Sequence, residues 1–208
     1  MLIPLILTWE YPPRVVGDMA HYVENLASEL NKIKKRVKVV TCHDSAFSYE
    51  KRNGYLEVYW ASNPVEPHIS VLTWCLTLNS EMERIVSDIV YENKATDYVL
   101  VVQDWHFVPA GVSLSRAHRL PFVFTLHSLE EQRSPGSNYA LNSCIKGLET
   151  MGLRESNLVL VKNDSMERAV IESYGVPEQK VAVVPANSQN LGKRMAAAYR
   201  AASASLGE

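Results

Sequence analysis

Short β-branched apolar runs alternate with longer stretches of helical period along almost the whole chain, and this alternation restricts the possible folds more than any other feature. The runs Leu2–Leu7, Val37–Thr41, Leu56–Trp60, Tyr98–Gln103, Phe122–Leu126, Leu158–Val161 and Val181–Val184 are mostly continuous rather than alternating. Continuous runs are expected of parallel strands that helices cover on both faces. The predicted class is α/β, with a mostly parallel sheet of about seven strands. Between the first two runs, Val23, Leu26, Leu30 and Ile33 recur every three or four residues, which predicts a helix over Asp18–Lys35. Further helices are predicted over Val71–Tyr91, Pro109–Ala117, Asn142–Met151 and Ser165–Tyr174, the last stopped by Gly175-Val176-Pro177. Ser128–Tyr139 reads as the longest loop and directly follows a strand, the position at which parallel sheets bind ligands.

The 208 residues suffice for one domain with a substantial core, and 21 basic against 23 acidic side chains leave no field that would draw in nucleic acid or an anionic membrane. Lys34-Lys35-Arg36 reads as a solvated helix C-terminus, where the dipole favours positive charge, rather than as a nucleic-acid contact. No apolar stretch approaches the roughly 20 residues of a membrane-spanning helix. The N-terminal apolar run lacks a preceding positive charge and meets Glu10 and two prolines, so it reads as a strand and not as a signal peptide. Cys42, Cys75 and Cys144 are far apart and odd in number, which points to no disulfide framework and to a cytoplasmic, reducing compartment.

Chemistry concentrates at the predicted strand ends. After the first strand, Thr8-Trp9-Glu10-Tyr11-Pro12-Pro13-Arg14-Val15-Val16-Gly17-Asp18 delivers a glycine to a helix start, where free backbone N–H groups suit a phosphate. Asp18 reads equally as an ordinary N-cap. It also opposes an anion, because two like charges at ~4 Å repel by about 1 kcal/mol in water and about 4 kcal/mol at an effective dielectric near 20. Gln103-Asp104-Trp105-His106 and Thr125-Leu126-His127-Ser128 end adjacent strands. Each histidine alone reads as a hydrogen-bonded strand-end residue. Together, a carboxylate, an indole and two imidazoles make a cleft suited to a sugar, whose hydroxyls need acceptors and whose apolar face needs a ring. Metal binding by Asp104, His106 and His127 lacks a compact ligand spacing, so no metal and no cofactor are expected. Phosphate-loop, dinucleotide-turn, nucleophile-elbow and His-Glu-x-x-His motifs are absent. Cys42 and Cys144 read as buried thiols rather than nucleophiles.

Four motifs in this order resemble the N-terminal domain of retaining glycosyltransferases of the two-domain GT-B type, the group of glycogen and starch synthases and sucrose and trehalose synthases. They are Trp9 to Gly17, Gln103 to His106, Phe124 to Leu129, and Gly175-Val176-Pro177 with Lys180 to Pro185. The resemblance implies a Rossmann-like three-layer domain, half of a GT-B fold, over residues 1–187, with residues 188–208 as a C-terminal helix packing back on it. It implies that this half holds a saccharide acceptor while a second domain holds a nucleotide sugar of the ADP- or UDP-glucose type. Asp104 and His127 are then the catalytic candidates, the latter near the transferred sugar. Gly17 approaches the donor diphosphate, Asp104 and His106 line the acceptor side with Trp105, and Arg14 and Arg133 are phosphate or acceptor contacts. No separate base is needed, since the leaving diphosphate takes the acceptor's proton.

Three positions depart from the pattern. Gly17 is followed by Asp18 instead of a second glycine, Lys162-Asn163 stands for the usual valine-serine, and Pro185-Ala186-Asn187 for Pro-Asn-Gly. The donor-binding half has no counterpart, so the isolated chain is expected to be inactive, with an exposed cleft face that could pair two copies. The alternative is a non-catalytic saccharide-binding or regulatory module derived from the same domain.

Overall fold

The computed structural model describes residues 2–43, 48–52, 54–65 and 68–204. The strands are β1 (Ile3–Thr8), β2 (Val37–Cys42), β3 (Ser48–Arg52), β4 (Leu56–Ala61), β5 (Tyr98–Gln103), β6 (Phe122–Leu126), β7 (Leu158–Val161) and β8 (Val181–Val183). They form one sheet in the order β3-β4-β2-β1-β5-β6-β7-β8. All pairings are parallel except that of β3 with β4. The sheet therefore has eight strands where about seven were expected. The additional one, β3, reads Ser-Tyr-Glu-Lys-Arg, a charged sequence without an apolar run. An edge strand is stabilised by pairing on one side alone and needs no continuous apolar pattern, and charge there discourages pairing with other chains.

The helices are α1 (Asp18–Lys32), α2 (Val71–Glu92), α3 (Val108–His118), α4 (Glu130–Arg133), α5 (Ala140–Glu155), α6 (Asp164–Tyr174) and α7 (Leu191–Ala204). Met19, Ala20, Val23, Leu26, Ala27 and Leu30 form the buried stripe of α1, spaced at three and four residues. α1 packs against α7, while α2, α3 and α5 pack side by side as the other layer. The central strands β1 and β5 are fully buried along their length, so the sheet core lies between the two helical layers. Close packing uses glycine where helices approach: a Cβ on Gly192 of α7 would stand 2.5 Å from the carbonyl oxygen of Glu29 in α1.

Two local expectations change. The α1 N-cap is Gly17, and Asp18 is the first helical residue, with no side-chain cap bond. The Ser128–Tyr139 loop contains the single-turn helix α4. The departure at Lys162-Asn163 has a local explanation, because Asn163 caps α6 by accepting from the Met166 N–H at 2.9 Å, as a serine would. The predicted terminal helix forms over Leu191–Ala204, and residues 205–208 lie outside the described residues.

Candidate active site

The strand order reverses at β1, whose neighbours β2 and β5 lead in opposite directions. Loops leaving the carboxyl ends of strands diverge at such a point and open a crevice. A cleft of about 870 Å³ lies there, walled by the residues that follow β1, β5, β6, β7 and β8. Gly17, Asp104, His106 and His127 all line it.

The β1–α1 loop is held from within. Thr8 Oγ1 donates to the Glu10 carbonyl at 2.9 Å, and Arg14 Nη1 donates to the Trp9 carbonyl at 2.8 Å. The Arg14 guanidinium lies 4.7 Å from the Trp9 ring centroid and 5.3 Å from that of Trp74, so its charge is spent on the loop and two indoles. Pro12-Pro13 is a cis peptide bond. The carboxylate of Glu10 accepts from the Gly17 N–H at 2.6 Å and also from the Val16 N–H. Gly17 is the glycine at which the sequence places a diphosphate, and the chain's own buried acid takes its N–H.

At the ends of β5 and β6, Asp104 donates its N–H to the Thr125 carbonyl at 2.9 Å, and its Oδ1 accepts from the His127 N–H at 2.8 Å. Asp104 adopts φ 53° and ψ −174°, a region nearly confined to glycine. The His127 ring meets Gln103 Oε1 at 2.8 Å through Nε2 and Tyr22 edge-on at 4.7 Å. Burial lowers the His127 pKa, against the charge of Asp104 and assisted by that of Lys162. Burial likewise raises the Tyr22 hydroxyl to about 12. His106 is stacked between Trp9, at 4.9 Å, and Trp105, at 4.1 Å. Burial, with the charges of Arg133, Arg14 and His127, pushes its pKa down to about 3. Both imidazoles are thus neutral near pH 7; that of His127 hydrogen-bonds Gln103, while His106 Nδ1 is buried without a hydrogen-bond partner among the described residues.

Trp105, Arg14 and Arg133 do not line the cleft among the described residues. Trp105 is 6% exposed and backs His106. Arg133 binds Glu130 Oε2 at 2.7 Å, Glu149 Oε1 at 3.1 Å, and Ser128 Oγ. Glu149 in turn accepts from the Glu130 N–H at 2.8 Å and from Tyr174 at 3.2 Å. Burial pushes the Glu149 carboxyl up to about 7, partly offset by those donors and Arg133. This network fixes α4 beside the cleft. The cleft also contains Glu10, Tyr22, Lys162 and Asn187, none of which stood out as a site residue in the sequence. Their positions at the ends of β1, β7 and β8 and on the first turns of α1 were the available signal. Among the described residues, no group of three His, Cys, Asp or Glu side chains could hold a metal ion.

Residues 19–186 match Glycosyltransferase Family 4. The chain belongs to that family. An uncharacterised glycosyltransferase of Methanocaldococcus jannaschii is 32% identical over 181 residues, covering 86% of this chain and 44% of the relative. A glycogen synthase of Mycobacterium tuberculosis is 25% identical over 197 residues, covering 86% of this chain and 47% of the relative. The family 4 chain thus spans about half the length of the curated relatives it matches. Among solved structures, a sucrose-phosphate synthase chain of Thermosynechococcus elongatus has TM-score 0.69 at 13% identity, covering 96% of this chain and 98% of that one. The catalytic domain of starch synthase IV from Arabidopsis thaliana, bound to ADP and acarbose, has TM-score 0.58 at 10% identity, covering 88% of this chain and 51% of that one. The fold of this family 4 member is that of a GT-B glycosyltransferase domain, a Rossmann-like α/β half. No helix among the described residues is long and apolar enough to cross a membrane.

Proposed function

We propose that this family 4 chain is the acceptor-binding half of a retaining glycosyltransferase, which completes its site with a donor-binding domain carrying a nucleotide sugar. The observation that carries the reading is the convergence of Asp104, His106 and His127 on one cleft at the switch point of the sheet. Asp104 Oδ1 is engaged by the His127 N–H, which leaves Oδ2 as the acceptor for a sugar hydroxyl. The neutral ring of His127 hydrogen-bonds the transferred hexosyl group, and His106 presents a ring held flat between two indoles. The acceptor hydroxyl attacks the anomeric carbon, the bond to the diphosphate breaks, and the leaving diphosphate takes the hydroxyl proton. Asp104 and His127 touch the reacting sugars, while Trp105 backs His106, Arg14 braces the β1–α1 loop, and Arg133 braces α4.

Residues 1–187 are then the acceptor-side domain and 188–208 the C-terminal segment whose helix, Leu191–Ala204, returns to it, supported by the burial of Leu191, Met195 and Tyr199 against the body of the domain. Val16, 66% exposed at the cleft mouth, and its neighbour Val15 mark the face that a second domain, or another copy, covers. The odd number and wide separation of Cys42, Cys75 and Cys144 are what this reading rests on for a reducing, cytoplasmic setting.

Glu10 and Asp18 favour a second reading, a saccharide-binding module without transfer activity, because both place negative charge where a diphosphate would approach. The test is to incubate the chain with ADP-glucose or UDP-glucose and maltooligosaccharides, alone and with a donor-binding domain added in trans. Transfer only with the added domain supports the acceptor half; binding without transfer in either case supports the module. Turnover by the chain alone, or no saccharide binding, overturns both. Light scattering of the isolated chain tests the pairing of two copies, which a strict monomer at high concentration rules out.

A further inference from the structure

Two consecutive residues at the end of β5 grip His127. Asp104 Oδ1 accepts its backbone N–H at 2.8 Å, and Gln103 Oε1 meets its ring Nε2 at 2.8 Å. Gln103 is fully buried and does not line the cleft, so it touches the ring from behind and reaches no ligand. The other ring nitrogen, Nδ1, makes no hydrogen bond among the described residues and is not closed off by burial, so it opens to the cleft that His127 lines. Tyr22, edge-on to the ring at 4.7 Å, limits its rotation.

An amide oxygen only accepts, so the hydrogen between Gln103 Oε1 and the ring belongs to Nε2. In a neutral imidazole the second nitrogen then holds a lone pair. Burial lowers the His127 pKa, which keeps the ring in that neutral form. Gln103 pairs with Thr125 across β5 and β6, so the two side chains share one face of the sheet. Gln103 Nε2 and Thr125 Oγ1 are both buried without a hydrogen-bond partner among the described residues, the first a donor and the second able to accept. Turning the amide over would aim a donor at the ring Nε2 and move the ring hydrogen to Nδ1. The orientation of one buried amide thus decides what the cleft wall offers.

We infer that Gln103 is a positioning residue that holds His127 as the Nε2–H tautomer, so that Nδ1 presents a lone pair to the cleft and the ligand group it meets must donate a hydrogen bond. A hydroxyl fits. An ether oxygen, a fluorine or a carboxylate only accepts, and is turned away by the facing lone pair and the loss of its own hydration. The consequence for a sugar rests on the saccharide reading above, whereas the tautomer does not.

Two NMR measurements on the full chain separate these points. Long-range proton–nitrogen correlation of the His127 ring near neutral pH is expected to show a protonated Nε2 and an unprotonated Nδ1, told apart because Hδ2 couples more strongly to Nε2. Gln103→Met, which keeps the bulk without the amide, is expected to give a mixture of tautomers. Should Gln103→Met not fold, Gln103→Asn, one methylene too short to keep the bond, gives the same readout. Titration with glucose and its monodeoxy and monodeoxyfluoro analogues tests the consequence. The position at which the deoxy analogue weakens binding to the wild type but not to His127→Phe marks the hydroxyl facing the ring. There the fluoro analogue is expected to bind no better than the deoxy one, both about two- to tenfold more weakly than glucose. A protonated Nδ1, an unprotonated Nε2, or a tautomer unchanged in the Gln103 variants overturns the inference, as does a fluoro analogue that matches glucose at that position. The expected tautomer without any glucose binding sustains the role of Gln103 and removes the saccharide reading alone.

Discussion

Asp104 Oδ1 accepts the backbone N–H of His127 at 2.8 Å, so the carboxylate at the end of β5 sets the direction in which the chain leaves β6. That bond is made from a backbone conformation, φ 53°, that disfavours any side chain. Asp104→Ala removes the acceptor and keeps the strain, whereas Asp104→Gly removes both. Asp104→Ala is expected to lose about 1–3 kcal/mol of stability, and Asp104→Gly about 1 kcal/mol less. Urea denaturation of the two variants checks the order. Both variants are expected to lose saccharide binding, since both lack Oδ2.

Gly192 brings α7 onto the backbone of α1, where an added Cβ would sit 2.5 Å from the Glu29 carbonyl oxygen. A backbone atom cannot rotate away as a side-chain tip can. Gly192→Ala is expected to destabilise the chain by about 1–3 kcal/mol, despite the better helix propensity of alanine. Faster amide exchange confined to Leu191–Ala204 would show that the loss arises at this contact.

Glu149 is fully buried, and its carboxyl is pushed up to about 7 chiefly by that burial. Unfolded, the same group titrates near 4.3, so between about 4.3 and 7 the folded chain holds a proton that the unfolded chain releases. Its contribution is therefore fully present below the unfolded value and is lost as pH rises through about 7. Relative to Glu149→Gln, the wild type is expected to lose up to about 3 kcal/mol between pH 5 and 8. Paired urea melts at several pH values measure it.

His106 behaves in the opposite sense. Burial lowers its folded pKa to about 3, so below about 6.5 the unfolded chain takes up a proton that the folded chain refuses. Stability from this group is present above the unfolded value and falls as pH drops toward the folded one. His106→Phe keeps a ring between Trp9 and Trp105 and has nothing to titrate. The wild type is expected to lose stability relative to this variant on going from pH 7 to pH 4, with no divergence above pH 7, as thermal melts would report.

Much of the scaffold was legible because burial leaves a period in the sequence. β5, β6 and β7 begin and end where their apolar runs do, and the buried stripe of α1 follows its three- and four-residue spacing. β3 was not legible, because an edge strand of charged residues carries no such period. Asp104, His106 and His127 could be picked out as strand-end polar residues and do meet in the cleft. Trp105, between two of them, could not be told from a cleft residue. A single 3₁₀ turn over Trp105–Phe107 sends Trp105 inward and leaves His106 at the cleft wall, and adjacent residues in sequence do not announce which way each faces.

The amino-acid order by itself determined the α/β class, the parallel sheet and the end of it at which polar residues gather, because periodic burial and strand-end chemistry are local properties. Tertiary structure alone decided that Glu10 returns across its own loop to take the Val16 and Gly17 N–H groups, and that Arg133 is spent on Glu130 and Glu149. It also left Lys162 facing three carboxylates across the cleft. Hydrogen bonds and charge contacts fall off within a few ångströms, so their partners are set by where the packed elements bring side chains together and not by residue type or spacing.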